Sequence, residues 1–452
     1  MILQYILSIV CYCLGLAMFK VKTEYKIGIL LLMFQLLSFL RAPVVGRATF
    51  FIPICFLISE IKNFRKIKTS LKKSVVWTVL KIFLISVLFL IIYSPHLHDF
   101  GSISYVLREE VLFRYFLLAY SFYACKNIKD FKAIINISLV GLYVMTIFGI
   151  VNYVTKNSYY VGVLMSSYNT SSMFDGINLG AMFKDSSRFR VNSTFMNPFD
   201  YGFMSVALAL LYSYAYLYKL IKKKLYYFAL FSCLFGIFTC GSRTVILTGM
   251  IAALVYMLSA FHFGKTLKVS FLAVLLSLLA YQTIPYVNQK VDFALSALDK
   301  NSTEEGSNVD GRAVQYAAVL YHIQDDLLFG KGYMYFTIDL GWGKGKANAV
   351  DRDLFGLEGV AMNYLLERGI VGYLFYLIFY IMLVIYLFKH RKYGIKEYAL
   401  GISVLTAYFV YSNMTGELLS LQPTLLILGC VLGILNNKIN YASKNINSCS
   451  SL

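Results

Sequence analysis

The sequence predicts an all-α polytopic membrane protein, and three features carry that prediction. Apolar residues make up 59% of the 452-residue chain and charged residues only 14%, against roughly a quarter charged in soluble domains. The apolar residues fall in many runs of roughly 15–25 residues, the length that crosses a bilayer as helix. Basic residues collect in short segments between those runs, as they do in cytoplasmic loops. Every span is expected to be helical, because hydrocarbon offers the backbone of an open segment no other partner. The mean hydropathy of +0.65 agrees.

Window hydropathy places about thirteen spans, within a range of about 12 to 14. They lie near 2–19, 26–41, 47–60, 75–93, 109–125, 131–153, 197–218, 225–240, 243–261, 267–285, 361–388, 398–413 and 421–436. The N-terminal "MILQYILSIVCYCLGLAMFK" has no basic residue before its apolar core, as a signal peptide would. Lys20, Lys22 and Lys26 follow that core, so the first span is expected to start outside and end in the cytoplasm. The basic loops 61–74, 126–132, 219–224, 263–268 and 389–397 then share one side. Segments 94–108, 154–196 and 286–360 share the other. The expected organisation is 1–153 N-terminal spans, 154–196 a first long outer loop, 197–285 central spans, 286–360 a second long outer loop, 361–436 C-terminal spans and 437–452 a cytoplasmic tail. No internal repeat is apparent. The tail, within "NNKINYASKNINSCSSL", reads as a disordered end.

A net charge of +19 invites a nucleic-acid partner. Its distribution argues against one, because Lys62, Arg65, Lys66, Lys68, Lys72, Lys73, Lys219, Lys222 to Lys224, Lys389, Arg391, Lys392 and Lys396 all fall in loops that membrane topology already explains. The eight cysteines sit mostly inside apolar runs, as at Cys11, Cys13, Cys125, Cys233 and Cys240. Buried cysteine usually behaves as a small apolar residue. The five histidines form no ligand cluster, so neither a metal nor another cofactor is expected.

Charge at the edge of hydrocarbon is costly and tends to mark function. Arg243 lies in "FTCGSRTVILTG", in a short turn joining two spans beside Gly241, Ser242 and Thr244. A site role is preferred there over snorkelling to headgroups. Arg188 and Arg190 precede the span starting near 197, and Arg312 lies in "GRAVQYAAVLYHI". There Val314, Ala317, Ala318 and Tyr321 recur at the spacing of an amphipathic surface helix. Headgroup anchoring remains the alternative for Arg188 and Arg190, and a solvated charge for Arg312. Arginine's planar fork suits phosphate oxygens and stays charged at any relevant pH. An outer-face arginine cluster over an apolar bundle would therefore bind an anionic lipid head.

Four stretches, from Arg188 to Leu377, carry a family resemblance. "RVNSTFMNPFDYG" resembles the "R-x-x-G-x-F-x-N-P-N-x-x-G" region of the O-antigen ligase and polymerase superfamily. "CGSRTVILTG" is similar to its "S-R-T/G" element at the head of a span. "GRAVQYAAVLYHIQDDLLFGKGY" resembles its "R-x-x-x-W/Y…A…P-x-x-G-x-G" stretch, and "AMNYLLERGIVGYLFYL" its "H-N-x-Y-L…E-x-G-I-x-G" element. The order and spacing of the four are more specific than any one.

The resemblance implies a glycosyltransferase of the multi-span, glycosyltransferase-C-like type in a bacterial inner membrane. Its expected donor and acceptor are undecaprenyl-diphosphate-linked oligosaccharides met at the periplasmic face. A chain-length regulator and a flippase are the implied membrane partners. Members either polymerise repeat units into O-antigen or capsule, or ligate finished glycan to lipid A core. Where ligases carry a histidine before the asparagine, this chain has Met362 before Asn363. Methionine cannot accept a proton, so the polymerase reading is preferred. Two more departures are the absence of glycine across Val191 to Ser193, and Phe199 after the proline.

A mechanism fits beside this. Arg190, Arg243 and Arg312 would stabilise charge developing on the diphosphate leaving group, doing the work of a cation clamp. Arg188, Asn197, Asn363 and His322 are the expected substrate-binding residues. The acceptor hydroxyl needs a base. Glu358 is preferred because it precedes Asn363 by about one and a half helical turns. Asp310, Asp325, His322 and Glu367 are the alternatives, and each is also readable as a solvated surface group. A flippase for lipid-linked oligosaccharide is the rival of another class. It should carry mid-span charge and related halves. The sequence shows few mid-span charges, at Lys81 and Arg114.

Overall fold

The computed structural model describes residues 2–43, 46–72, 74–98, 100–166, 184–185, 188–261, 282–283, 288, 292, 309–333, 335, 339, 354, 357, 359–416 and 420–449. Among them the fold is helical apart from two antiparallel pairs of two-residue strands, β1 (Arg41–Ala42) with β2 (Gly46–Arg47) and β3 (Lys184–Asp185) with β4 (Arg188–Phe189). The N-terminal helices are α1 (Ile2–Ala17), α2 (Thr23–Leu36), α3 (Ala48–Glu60), α4 (Phe64–Leu71), α5 (Val75–Tyr93), α6 (Phe100–Val106), α7 (Phe116–Ala124), α8 (Ile128–Thr155) and α9 (Tyr159–Ser166). After them come α10 (Pro198–Leu217), α11 (Lys223–Thr239), α12 (Arg243–Ala260), α13 (Val309–His322), α14 (Val360–His390), α15 (Ile395–Thr415) and α16 (Leu421–Cys449).

The all-α class read from the sequence holds. Five described helices are long and apolar enough to cross a membrane: α5, α8, α12, α14 and α16. The spans expected at 197–218, 225–240 and 398–413 are the helices α10, α11 and α15. They are more polar or shorter than those five, since α11 has 17 residues and α10 and α15 carry several tyrosines with Asp200 and Glu397. The span expected at 267–285 lies mostly outside the described residues. The span expected at 109–125 is composite. A π-helical stretch, Leu107–Tyr115, runs into α7, and such bulges frequently accompany functional sites. The basic loop 61–74 is largely helical too. In α4, Ile67 and Leu71 are buried while Arg65, Lys66 and Lys68 are exposed.

Helix starts follow local chemistry. Asn127 and Asp130 form a capping box for α8, with the Asp130 carboxylate accepting from the Asn127 backbone at 3.0 Å. Ser74 caps α5, its hydroxyl accepting from Trp77. α10 is buried almost all round, with Tyr201, Phe203, Tyr212 and Tyr214 packed among α11, α12 and α15. The Tyr212 hydroxyl pairs with Ser138 Oγ at 3.0 Å, which offsets the cost of burying it.

Small residues let backbones approach. In α16, Gly429 and Gly433 face α7, where a Cβ on Gly429 would stand 2.6 Å from the Leu118 carbonyl oxygen. A Cβ on Gly433 would collide with the carbonyls of Phe122 and Cys125. This is a small-xxx-small contact of the kind that packs helices in lipid.

Charge inside the spans stays sparse: beyond Lys81 and Arg114, Arg368 lies within α14 and pairs with Glu110 at 2.9 Å, whereas the buried Lys26, Glu60, Asp200 and Glu397 stand at helix ends. One sequence expectation needs correction. The tail expected to be disordered instead continues α16 to Cys449. Side-chain contacts extend the helix: Lys438 donates to Glu397 at 2.8 Å, and the Asn437 amide donates to the Lys126 carbonyl at 3.0 Å.

The α7–α16 contact yields a prediction. Gly433→Val should lower the unfolding free energy by about 1–3 kcal/mol through overpacking. Gly249→Ala, where the nearest atom would lie at an ordinary 3.4 Å, should be neutral or stabilising. Thermal unfolding of the two purified variants in one detergent checks the difference.

Candidate functional site

The segment "RVNSTFMNP" is a buried plug rather than a solvated loop end. Val191, Asn192, Ser193, Thr194 and Phe195 are all buried. The Val191 amide donates to the Thr239 carbonyl at 3.0 Å, tying the segment to the end of α11. Ser193 Oγ donates to the Met145 carbonyl at 2.5 Å, Thr194 Oγ1 to that of Gln35 at 2.6 Å, and Ser158 Oγ to Asn192 Oδ1 at 2.7 Å. Ser193 has φ +50°, the left-handed region that favours glycine. The Ser193 hydrogen bond to the Met145 carbonyl compensates part of the strain.

This anchoring sets Arg190 against the turn that carries Arg243. Gly241 has φ +68°, and a Cβ there would stand 2.9 Å from Arg190 Cγ. Ser242 then caps α12, accepting from Val245 at 3.3 Å, and Arg243 is the first helical residue. The Arg190 guanidinium lies 5.4 Å over the Phe199 ring. Both arginines are half-buried. A helix N-terminus carries partial positive charge, so arginines at and beside it are electrostatically suited to an anion.

The other expected site residues fare differently. Asn197 is the N-cap of α10, its Oδ1 accepting from the Phe199 amide at 2.8 Å, with Pro198 in the first turn. That bond gives Asn197 a structural task. Arg188 is in β4, paired in register with Asp185, and Arg312 is in the first turns of α13. The side chains of both are outside the described atoms. His322 ends α13, half-buried and edge-on to Tyr321. Asn363 is half-buried in the first turn of α14. Glu358 lies outside the described residues. Among the described residues, no group of three or more His, Cys, Asp or Glu could hold a metal.

The largest feature that sequence reasoning missed is a break in α14. Gly369 has φ +61° and ψ −165°, and the helical bonds from 370 to 366 and from 371 to 367 are replaced. Segment 327–332 inserts instead. The Leu327 and Leu328 carbonyls accept from Ile370 and Val371 at 3.0 and 3.1 Å. The Lys331 and Gly332 amides donate to the Leu366 and Glu367 carbonyls at 2.8 and 3.0 Å. Two lost helical bonds are thus exchanged for four. A Cβ on Gly369 would run into the Leu328 carbonyl and the Phe329 amide.

Neighbours hold the inserted segment. Phe329 stacks on Tyr93 at 3.9 Å, and the Tyr333 amide donates to Ser94 Oγ at 2.9 Å. His96 Nε2 lies 2.6 Å from Asp339 Oδ2, and Lys331 lies 2.6 Å from Asp326. The hydrogen bond to the Asp326 carboxylate pushes the Lys331 pKa up. The third and fourth of the stretches quoted above therefore explain each other: "FGKG" is the wedge and "ERGIVG" the helix it opens. Only the spacing of their glycines hinted at this in the sequence.

Gly369→Ala should weaken the wedge, at about 1–3 kcal/mol for a non-glycine residue in that backbone region. Amide hydrogen exchange over 327–333 should speed up by roughly ten- to hundredfold while exchange in α8 stays unchanged. No protein-family model matches this chain, and a search of curated proteins returned no match.

Proposed function

We propose that the chain is a membrane-embedded glycosyltransferase that polymerises lipid-linked repeat units, transferring a glycan from undecaprenyl diphosphate to a sugar hydroxyl of a second lipid-linked unit. The observation that carries this reading is the packing of Arg190 on Gly241, at the turn where Arg243 opens α12. Two permanent cations and a helix N-terminus in one place suit a diphosphate. In the transfer, the acceptor oxygen bonds to the anomeric carbon while the carbon–oxygen bond to the diphosphate breaks. The leaving diphosphate gains negative charge, and the arginines would stabilise it more in the transition state than in the ground state. The hydroxyl proton passes to a carboxylate. Glu358 is the first candidate for that base, and Glu367, half-buried beside the break in α14, is the alternative. Arg312 would complete the clamp from α13. Met362 in place of a histidine favours polymerase over ligase.

A flippase for the same lipid is the second reading, and the structure favours it in one respect. A broken helix and buried charge pairs, as at Gly369 and Arg368–Glu110, are familiar in transporters. The two readings differ in whether chains grow.

Purified protein given lipid-linked repeat units should lengthen glycan ladders in the presence of chelator. Arg190→Ala and Arg243→Ala should each lower the rate about 10²–10³-fold, as loss of one preorganised donor does. Full chain formation by a triple Arg190/Arg243/Arg312 alanine variant would overturn the clamp. Flipping of labelled lipid in vesicles without chain growth would replace the enzyme reading with the transporter.

A further inference from the structure

Three arginines converge where α3 begins, and no step proposed above uses them. Arg41 and Arg47 are direct cross-strand partners in the β1–β2 hairpin, an arrangement in which like charges weaken the pairing. Arg47 is exposed, and its guanidinium lies 5.8 Å over the Phe50 ring. Arg108, early in the π-helical stretch, approaches the same ring at 4.5 Å and the Tyr105 ring at 5.1 Å. Arg47 and Arg108 are thus held within about 10 Å of each other, close enough for like charges to repel. The basic helix α4 follows the other end of α3, so the topology that collects basic residues there does not account for these arginines.

Little in the protein relieves that repulsion. Among the described residues, Arg108 has one ion pair, with Glu109 at a long 3.4 Å, and its side chain is 39% exposed. Glu110 is taken up by Arg368 and Arg114, at 2.9 and 3.6 Å. An anion between Arg47 and Arg108 would relieve the repulsion and gain charge-assisted hydrogen bonds from both. Glu109 stays beside the site and disfavours a second negative charge on that anion. The surroundings select a lipid. Ile54 and Ile58 follow Phe50 at four-residue spacing along α3, and both are exposed. Phe100 on α6 and Leu107 beside Arg108 are exposed too. Charge at the helix end is therefore continuous with apolar surface along its length, the arrangement that places a cation at headgroup level and its neighbours in hydrocarbon.

We infer that Arg47 and Arg108, with Arg41 adding charge, hold the phosphodiester of an anionic membrane phospholipid beside Phe50, its chains lying along Ile54 and Ile58 of α3. The bound phosphate bridges the β1–β2 hairpin to the π-helical stretch and neutralises the like charges that both present. The inference goes beyond the polymerase reading and does not rest on it, because its residues and its test involve neither the Arg190–Arg243 turn nor a glycan.

The test uses the full chain in a neutral maltoside detergent. Phenylglyoxal modifies accessible guanidinium groups, and peptide mass mapping reads the rate at each arginine. Added phosphatidylglycerol should slow modification of Arg47 and Arg108 about tenfold more than phosphatidylcholine does, as expected for charge-assisted contacts. In Arg108→Gln the protection of Arg47 should fall to the phosphatidylcholine level. Arg47→Gln, on an exposed hairpin, should do the same at Arg108. Protection of Arg65 on α4, which reports general attraction of the lipid to basic surface, should be unchanged in both variants. Glycerophosphoglycerol, the same head without chains, should protect neither arginine. Equal protection of Arg47 by the two phospholipids would overturn the inference, as would protection that survives in both variants. Protection by the chainless head would identify a soluble-anion site and overturn the lipid assignment. Stronger protection by farnesyl diphosphate than by phosphatidylglycerol at equal concentration would give the site to a lipid diphosphate and overturn the phospholipid.

Discussion

The structure depends on one constraint: a helix interrupted inside an apolar bundle must have its freed backbone groups satisfied by protein. At Gly369 the α14 ladder opens, and segment 327–332 supplies two acceptors and two donors to the groups released. Away from water, each unsatisfied amide or carbonyl costs several kcal/mol. The wedge and the break are therefore a single unit, and neither is stable in this form without the other. The Tyr93–Phe329 stack and the Tyr333–Ser94 bond extend that unit to α5. Residues more than two hundred positions apart in sequence become neighbours.

The same rule governs the buried charges. Glu397 accepts from Tyr214 at 2.9 Å, from Tyr218 at 2.6 Å and from Lys438 at 2.8 Å. Lys26 pairs with Glu60, which Asn63 also contacts at 2.6 Å. Each group ties one helix to another, and each would be costly to leave alone. Such pairs are weak evidence for net stability, since desolvation offsets much of their attraction. They do constrain register, because a shifted helix would strand a charge. Arg368 pairs with Glu110 through Nη2, while its Nε and Nη1 have no hydrogen-bond partner among the described residues.

At the Arg190 turn, backbone shape precedes chemistry. The plug from Val191 to Phe195 is pinned by hydrogen bonds to α2, α8 and α11, and Ser193 accepts a left-handed backbone to stay there. Gly241 leaves the gap that Arg190 fills. An anion held at this place meets groups that cannot move far, which is what stabilising a transition state requires.

The sequence by itself determined the class of the protein and the start of several elements. Apolar runs demand helices, Asn197–Pro198 opens α10, and "CGSR" opens α12, because hydropathy and capping are local properties. It also drew attention to Arg190 and Arg243, since charge beside an apolar run stands out in one dimension. The tertiary structure alone decided that Arg190 packs on Gly241 in the turn before Arg243, that α14 is broken, that α16 continues through its polar end, and that Glu110, Asp200 and Arg368 are buried. Those outcomes depend on partners tens to hundreds of residues away. A hydropathy window averages a single charge among its neighbours, and no local pattern records which distant carbonyl or carboxylate will satisfy it.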